Sequence, residues 1–96
     1  MGREATNNLM KRILWTKHAQ KNLEEREIEL SEVERTVTVP EFIVPDPPGR
    51  QIMMRRYYDK LLRREMLLRV VTIEAEATIT VITVYKTSQI RRYVKE

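Results

Sequence analysis

Ninety-six residues with 18 Lys/Arg, 14 Asp/Glu and no Cys make one small domain, large enough to hide roughly 60% of its unfolded surface around a single core. The missing cysteines exclude disulfides and thiolate metal sites and fit a reducing cytoplasm. No apolar run approaches the ~20 residues that a membrane helix needs, and the polar start lacks the apolar stretch of a signal peptide, so a soluble, cytoplasmic protein with no membrane partner is expected.

The net charge of +4 is unevenly spread. Residues 1–48 carry 7 Lys/Arg against 9 Asp/Glu, whereas residues 49–96 carry 11 against 5. Either this is ordinary solvated surface, or the second half presents a basic face to a polyanion, nucleic acid being the usual one.

In chain order, residues 1–10 read as a flexible N-terminus and residues 11–96 as the domain. Lys11-Arg12-Ile13-Leu14-Trp15 reads as a short first strand with Trp15 as its anchor. Thr16 is a suitable N-cap for a helix from Lys17 to about Glu27, with Ala19 and Leu23 four apart on its buried stripe and Ile28 closing the end. His18, Asn22 and Arg26 share an adjacent face at the same spacing. Ser31 and Glu34 have the spacing of a capping box that opens a second helix, with Val33 and Val37 facing the core. This helix is expected to fail before Pro40.

Residues 40–49 contain all four prolines and read as a stiff connection, with Phe42, Ile43 and Val44 pinning it to the core. Arg50 to Tyr58 reads as a strand, uncovered enough to pair with a second copy of the chain. The strongest signal is Leu67 to Lys86: two β-branched arms, Leu67 to Ile73 and Thr78 to Lys86, joined by Glu74-Ala75-Glu76-Ala77. Strict alternation puts Ile79, Val81 and Tyr85 on one face of the second arm and Ile82 and Val84 on the other, as in a strand covered on both sides. The tail from Thr87 to Tyr93 reads as a turn and then a short helix or extended segment. The fold class is α+β: two N-terminal helices on one face of a twisted, mainly antiparallel four-stranded sheet in the order β-α-α-β-β-β.

That order resembles the RelE/ParE superfamily of small toxins, and locally it looks more like one uncharacterised branch of it. The residues carrying the resemblance are His18-Ala19, Arg26, Ile28, Ser31, Val33 and Pro40-Glu41, then Leu68-Arg69-Val70-Val71, Ile82-Thr83-Val84-Tyr85 and the tail from Lys86 to Tyr93. A fainter likeness to BrnT toxins lies in Trp15, Ala19 and Asn22-Leu23. Two departures stand out: Glu27 occupies a usual Gly position, making a left-handed helix end less comfortable, and Asn22 occupies a position where Arg is common.

The resemblance implies a toxin of a type II toxin–antitoxin system acting on RNA, with an antitoxin protein and RNA or the ribosome as partners. Metal-independent RNA cleavage needs a base, cations for the crowded phosphate, and an acid for the leaving oxygen. The candidate catalytic residues are His18, Arg26, Arg69 and Tyr85; Lys86, Arg91, Arg92 and Tyr93 are candidates for holding substrate. Each has a plainer reading. His18 can be a helix-start residue bonded to a strand, Arg26 a partner for the Glu24–Glu34 cluster, and the tyrosines half-buried core aromatics. Arg69 is equally compatible with a buried pair or plain exposure. One His, no Cys and scattered Glu make no metal set, and no cofactor is expected. The rival function is a non-catalytic binding module for RNA or protein, or an interaction domain with no nucleic-acid role.

Overall fold

The computed structural model describes residues 11–94. Arg12–Trp15 forms β1, Lys17–Glu25 α1, Leu30–Thr38 α2, Phe42–Asp46 β2, Arg50–Asp59 β3, Arg64–Glu74 β4, Thr78–Thr87 β5 and Ile90–Tyr93 α3. The class is α+β, and the sheet has five strands in the order β1-β5-β4-β3-β2. The expected flexible segment, residues 1–10, lies outside the described residues. Among the described residues, no helix is long and apolar enough to cross a membrane.

The central hairpin is formed by β4 and β5, as the β-branched arms require. β3 pairs antiparallel with β4, and β2 with β3; β1 lies parallel to β5. The sheet is therefore mixed, with one strand more than the alternation implies. The extra strand is β2, inside the proline-rich connection. Pro45 has no N–H to give a ladder, which an edge strand tolerates. The Pro47-Pro48-Gly49 turn, with a cis Pro47–Pro48 bond and Gly49 at φ 77°, returns the chain into β3. This corrects the expectation of a free strand at Arg50 to Tyr58: β3 is interior, and the sheet edges are β1 and β2.

One face of the sheet carries the main core. Ala19, Ile28, Val33 and Val37 from the helical half pack on Met53, Leu68, Val70, Ile79, Val81 and Val84. The opposite face carries a smaller cluster, in which Met54 and Leu67 meet Val94, Ile90 and Tyr93 from the C-terminal segment. Strict alternation fails in β5. Thr72 pairs with Val81 but Val71 pairs with Thr83, so Ile82 is an inserted residue, a bulge that resets the pleat. Val84 and Lys86 thereby join Ile79 and Val81 on the helix face, and Tyr85 turns to the opposite one, a correction to the face assignment read from sequence.

Helix α1 begins as the sequence implies, with the Thr16 hydroxyl accepting from the Ala19 amide at 3.0 Å. It stops at Glu25 rather than Glu27. Glu27 takes φ 53°, and the Ile28 amide reaches the Leu23 carbonyl at 2.9 Å while the Glu27 amide reaches that of Glu24. These two bonds make a Schellman end, with Ile28 and Leu23 in apolar contact with the same core. Chain direction after this turn starts α2 at Leu30, one residue ahead of the expected cap. The Ser31 capping box does not form, because Glu29 occupies the N-cap position without a side-chain bond.

Candidate functional site

Helix α1 does for β5 what a neighbouring strand would do. β1 ends at Trp15, leaving the outer side of β5 without a strand partner beyond Val81. From there the Thr16 amide donates to the Val81 carbonyl at 3.1 Å, and the Thr16 hydroxyl to that of Ile82 at 3.2 Å. Asn22 Oδ1 accepts from the Val84 amide at 3.0 Å, and Arg26 donates to the Val84 carbonyl at 2.8 Å. Buried backbone groups require partners, and the i, i+4 spacing of Asn22 and Arg26 delivers both to one residue. Arg26 thus holds sheet backbone rather than forming an ion pair with the nearby glutamates. His18, on the same helix, is exposed and has no hydrogen-bond partner among the described residues.

Below α1 lies a polar cluster that sequence reading passed over. Asp59, 5% exposed, ends β3 and accepts from Lys86 Nζ at 2.7 Å and from the Tyr57 hydroxyl at 3.0 Å. Its other oxygen accepts from the Leu61 and Leu62 amides, pinning the β3–β4 turn. Burial works to raise the Asp59 carboxyl, but the bonds from Lys86, Leu62 and Tyr57 outweigh it and hold the group at about 2. Burial, then the bond to Asp59, pushes the Tyr57 phenol well above its usual value. Lys86 also donates to the Glu27 carbonyl at 3.1 Å. Its ammonium is therefore engaged by two structural partners on the helix face. The signal available in sequence was an Asp closing a strand just before a four-residue turn.

The other sheet face gathers the remaining candidates. Arg69 and Tyr85 are cross-strand partners on β4 and β5, and an Arg69 N–H donates to the Tyr85 oxygen. The guanidinium lies 3.8 Å from the centre of the Tyr93 ring and 5.1 Å from that of Tyr85, a cation held between two aromatics. Its Nε is buried without a partner, and Arg69 has no carboxylate partner among the described residues. Beside this stack, between α3 and the ends of β3 and β4, runs an open groove of about 960 Å³ lined by Arg56, Glu65, Gln89, Arg91 and Arg92 among others. Arg56 is engaged by Glu41, whose carboxyl the arginine hydrogen bond holds below its usual range. Arg91 and Arg92 are exposed, Arg92 donating to Gln89 at 3.1 Å.

The sheet therefore divides the predicted set. Arg69, Tyr85 and Tyr93 come together with Arg91 and Arg92 nearby, whereas His18, Arg26 and Lys86 stand on the helix side. Arg56 and Glu65 were not singled out in the sequence, although both share the alternation phase of Arg69. No three His, Cys, Asp or Glu side chains among the described residues are grouped to hold a metal ion.

The model of the family described as "Domain of unknown function (DUF4258)" matches residues 15–86, from the end of β1 through the bulged strand to Lys86. Neither a curated protein nor a solved structure matches the chain. With three quarters of its length inside the match, the chain belongs to the DUF4258 family.

Proposed function

We propose that the chain is an RNA-directed domain of the RelE-like toxin class, working as a metal-independent endoribonuclease from the sheet face beneath α3. The observation that supports this most is the Arg69 stack: a mid-strand cation without a carboxylate, steadied by two tyrosines at the margin of an arginine-lined groove. In this reading Arg69 meets the developing phosphate charge with the planar fork that suits it. Tyr85 accepts from Arg69 and so keeps its own O–H to give to the leaving oxygen, while the attacking 2′-hydroxyl gives up its proton to water. Arg91 and Arg92 attract the backbone. A neighbour-encoded antitoxin protein and the ribosome are the partners that this reading entails.

The second reading is a binding module of the same fold that has no cleavage activity. The separation of His18 from Arg69 by the sheet favours it, since it leaves the arginine stack without an imidazole base. Induced expression in a bacterial host, followed by incubation of the purified protein with RNA, tests both. Growth arrest and cleavage, each lost in Arg69→Ala, support the toxin. Retention of RNA without cleavage selects the module, and no binding at low salt defeats both.

A further inference from the structure

Among the described residues that line the arginine-rich groove, the acidic one is Glu65. It is exposed and has no partner among the described residues. Its direct cross-strand neighbour on the same face is Tyr58, an aromatic that is 61% exposed. Paired residues of this kind have Cβ atoms about 4.5–5.5 Å apart. A flat π surface and a carboxylate thus stand side by side, the carboxylate in the wall of the groove that Arg91 and Arg92 also line. An isolated acid would only weaken a surface whose role was general attraction to phosphate.

Resting on the RNA-directed reading, we infer that Tyr58 and Glu65 form a nucleobase subsite selecting guanine in single-stranded RNA. Unpaired bases stack on exposed tyrosines and are read along their Watson–Crick edges. Guanine presents two adjacent donors there, N1–H and N2–H, which match the two oxygens of a carboxylate. Adenine and cytosine each set one amino donor beside a ring-nitrogen acceptor that the carboxylate repels, and uracil flanks its single N–H with two carbonyls. Stacking on Tyr58 holds any base, and Glu65 decides which one stays. The groove leaves room for the flanking nucleotides, whose phosphates fall to Arg91 and Arg92.

The test is fluorescence anisotropy of the full chain with labelled uridine-rich hexanucleotides that differ in one central base: guanine, hypoxanthine, adenine, cytosine or uracil. Guanine is expected to bind about tenfold or more tightly than the others, and hypoxanthine, lacking the N2 amino group, to lose most of that advantage. Glu65→Gln, an isosteric change at an exposed site, should erase the guanine preference while the uracil oligonucleotide binds no more weakly than before; Tyr58→Ala should weaken all five. Equal binding of all five, or an intact preference in Glu65→Gln, overturns the subsite. If binding in that case still falls on Arg91→Gln, the RNA reading survives without it. Absence of binding by every oligonucleotide at low salt overturns the subsite and the RNA reading together.

Discussion

Lys86 Nζ sits 2.7 Å from Asp59 Oδ2, tying the end of β5 to the end of β3 on the helix face of the sheet. Both side chains are largely withdrawn from water, so each charge depends on the other for its compensation. The pair also links two turns. Asp59 holds the amides of Leu61 and Leu62, and Lys86 holds the carbonyl of Glu27 at the left-handed end of α1.

Acid should therefore weaken the fold through Asp59. Its carboxyl is held at about 2 in the folded chain against an ordinary 3.8. A depressed acid contributes stability that is fully present above the ordinary value and is lost as pH falls through 3.8 toward 2. The linked contribution is about 2 kcal/mol. Glu41 and Glu74, both lowered by hydrogen bonds from cations, act in the same direction. Urea unfolding between pH 7 and pH 2 should show this loss, and Asp59→Asn should flatten it. At pH 7 that variant should cost about 3 kcal/mol, because Lys86 is left buried without its anion.

Glu27→Gly should stabilise the protein. At φ 53° the residue occupies the left-handed region, where a Cβ costs roughly 1–2 kcal/mol and glycine costs nothing sterically. Glycine's larger entropy loss on folding returns part of that gain, leaving about 1 kcal/mol. The bond from Lys86 goes to the Glu27 carbonyl and survives the change. A rise in Tm of about 4–8 °C is expected for a chain of this size, read by thermal circular dichroism.

Local chemistry made parts of this structure legible from residues alone. Thr16 announced its helix and the two β-branched arms the central hairpin, whereas the awkward end at Glu27 showed only through the family resemblance. Three features depend on distant partners. β1 is too short to declare a parallel alignment with a strand more than sixty residues away. Pro45 argues locally against a strand, and only the edge position excuses it. The bulge leaves a single trace, the apolar doublet Val81-Ile82 followed by Val84, where a change of phase and a strand apolar on both faces look alike. Since the bulge decides which side Tyr85 faces, the candidate site could be assembled only in part: Arg69 and Tyr85 were each readable as candidates, but neither their cross-strand pairing nor their separation from Arg26 and Lys86 was.

Two substitutions on α1 should separate structure from surface. Asn22 is buried, and its Oδ1 satisfies the Val84 amide. Asn22→Ala orphans that donor and opens a small void, at a cost of about 2–3 kcal/mol. His18 is exposed one turn earlier, and His18→Ala should fall within about 0.5 kcal/mol of the parent. Denaturant midpoints for the two variants test the contrast. A large loss from His18→Ala would assign the imidazole a packing role.

Salt dependence should locate the nucleic-acid face. If Arg91 and Arg92 each neutralise one phosphate of a single strand, the plot of log K against log salt should become shallower by about 0.7 for each arginine replaced by Gln. Both lie on α3, outside the two buried clusters, so Tm should stay nearly constant while the slope changes. Arg69→Lys makes the informative comparison. Lysine keeps the charge, and with it most of the slope, but loses the planar stack on Tyr93 and the fork that suits a phosphate. Affinity or cleavage should then fall at every salt concentration by a similar factor. A shallower slope for Arg69→Lys, with Arg91→Gln and Arg92→Gln silent, would move the contact surface away from α3.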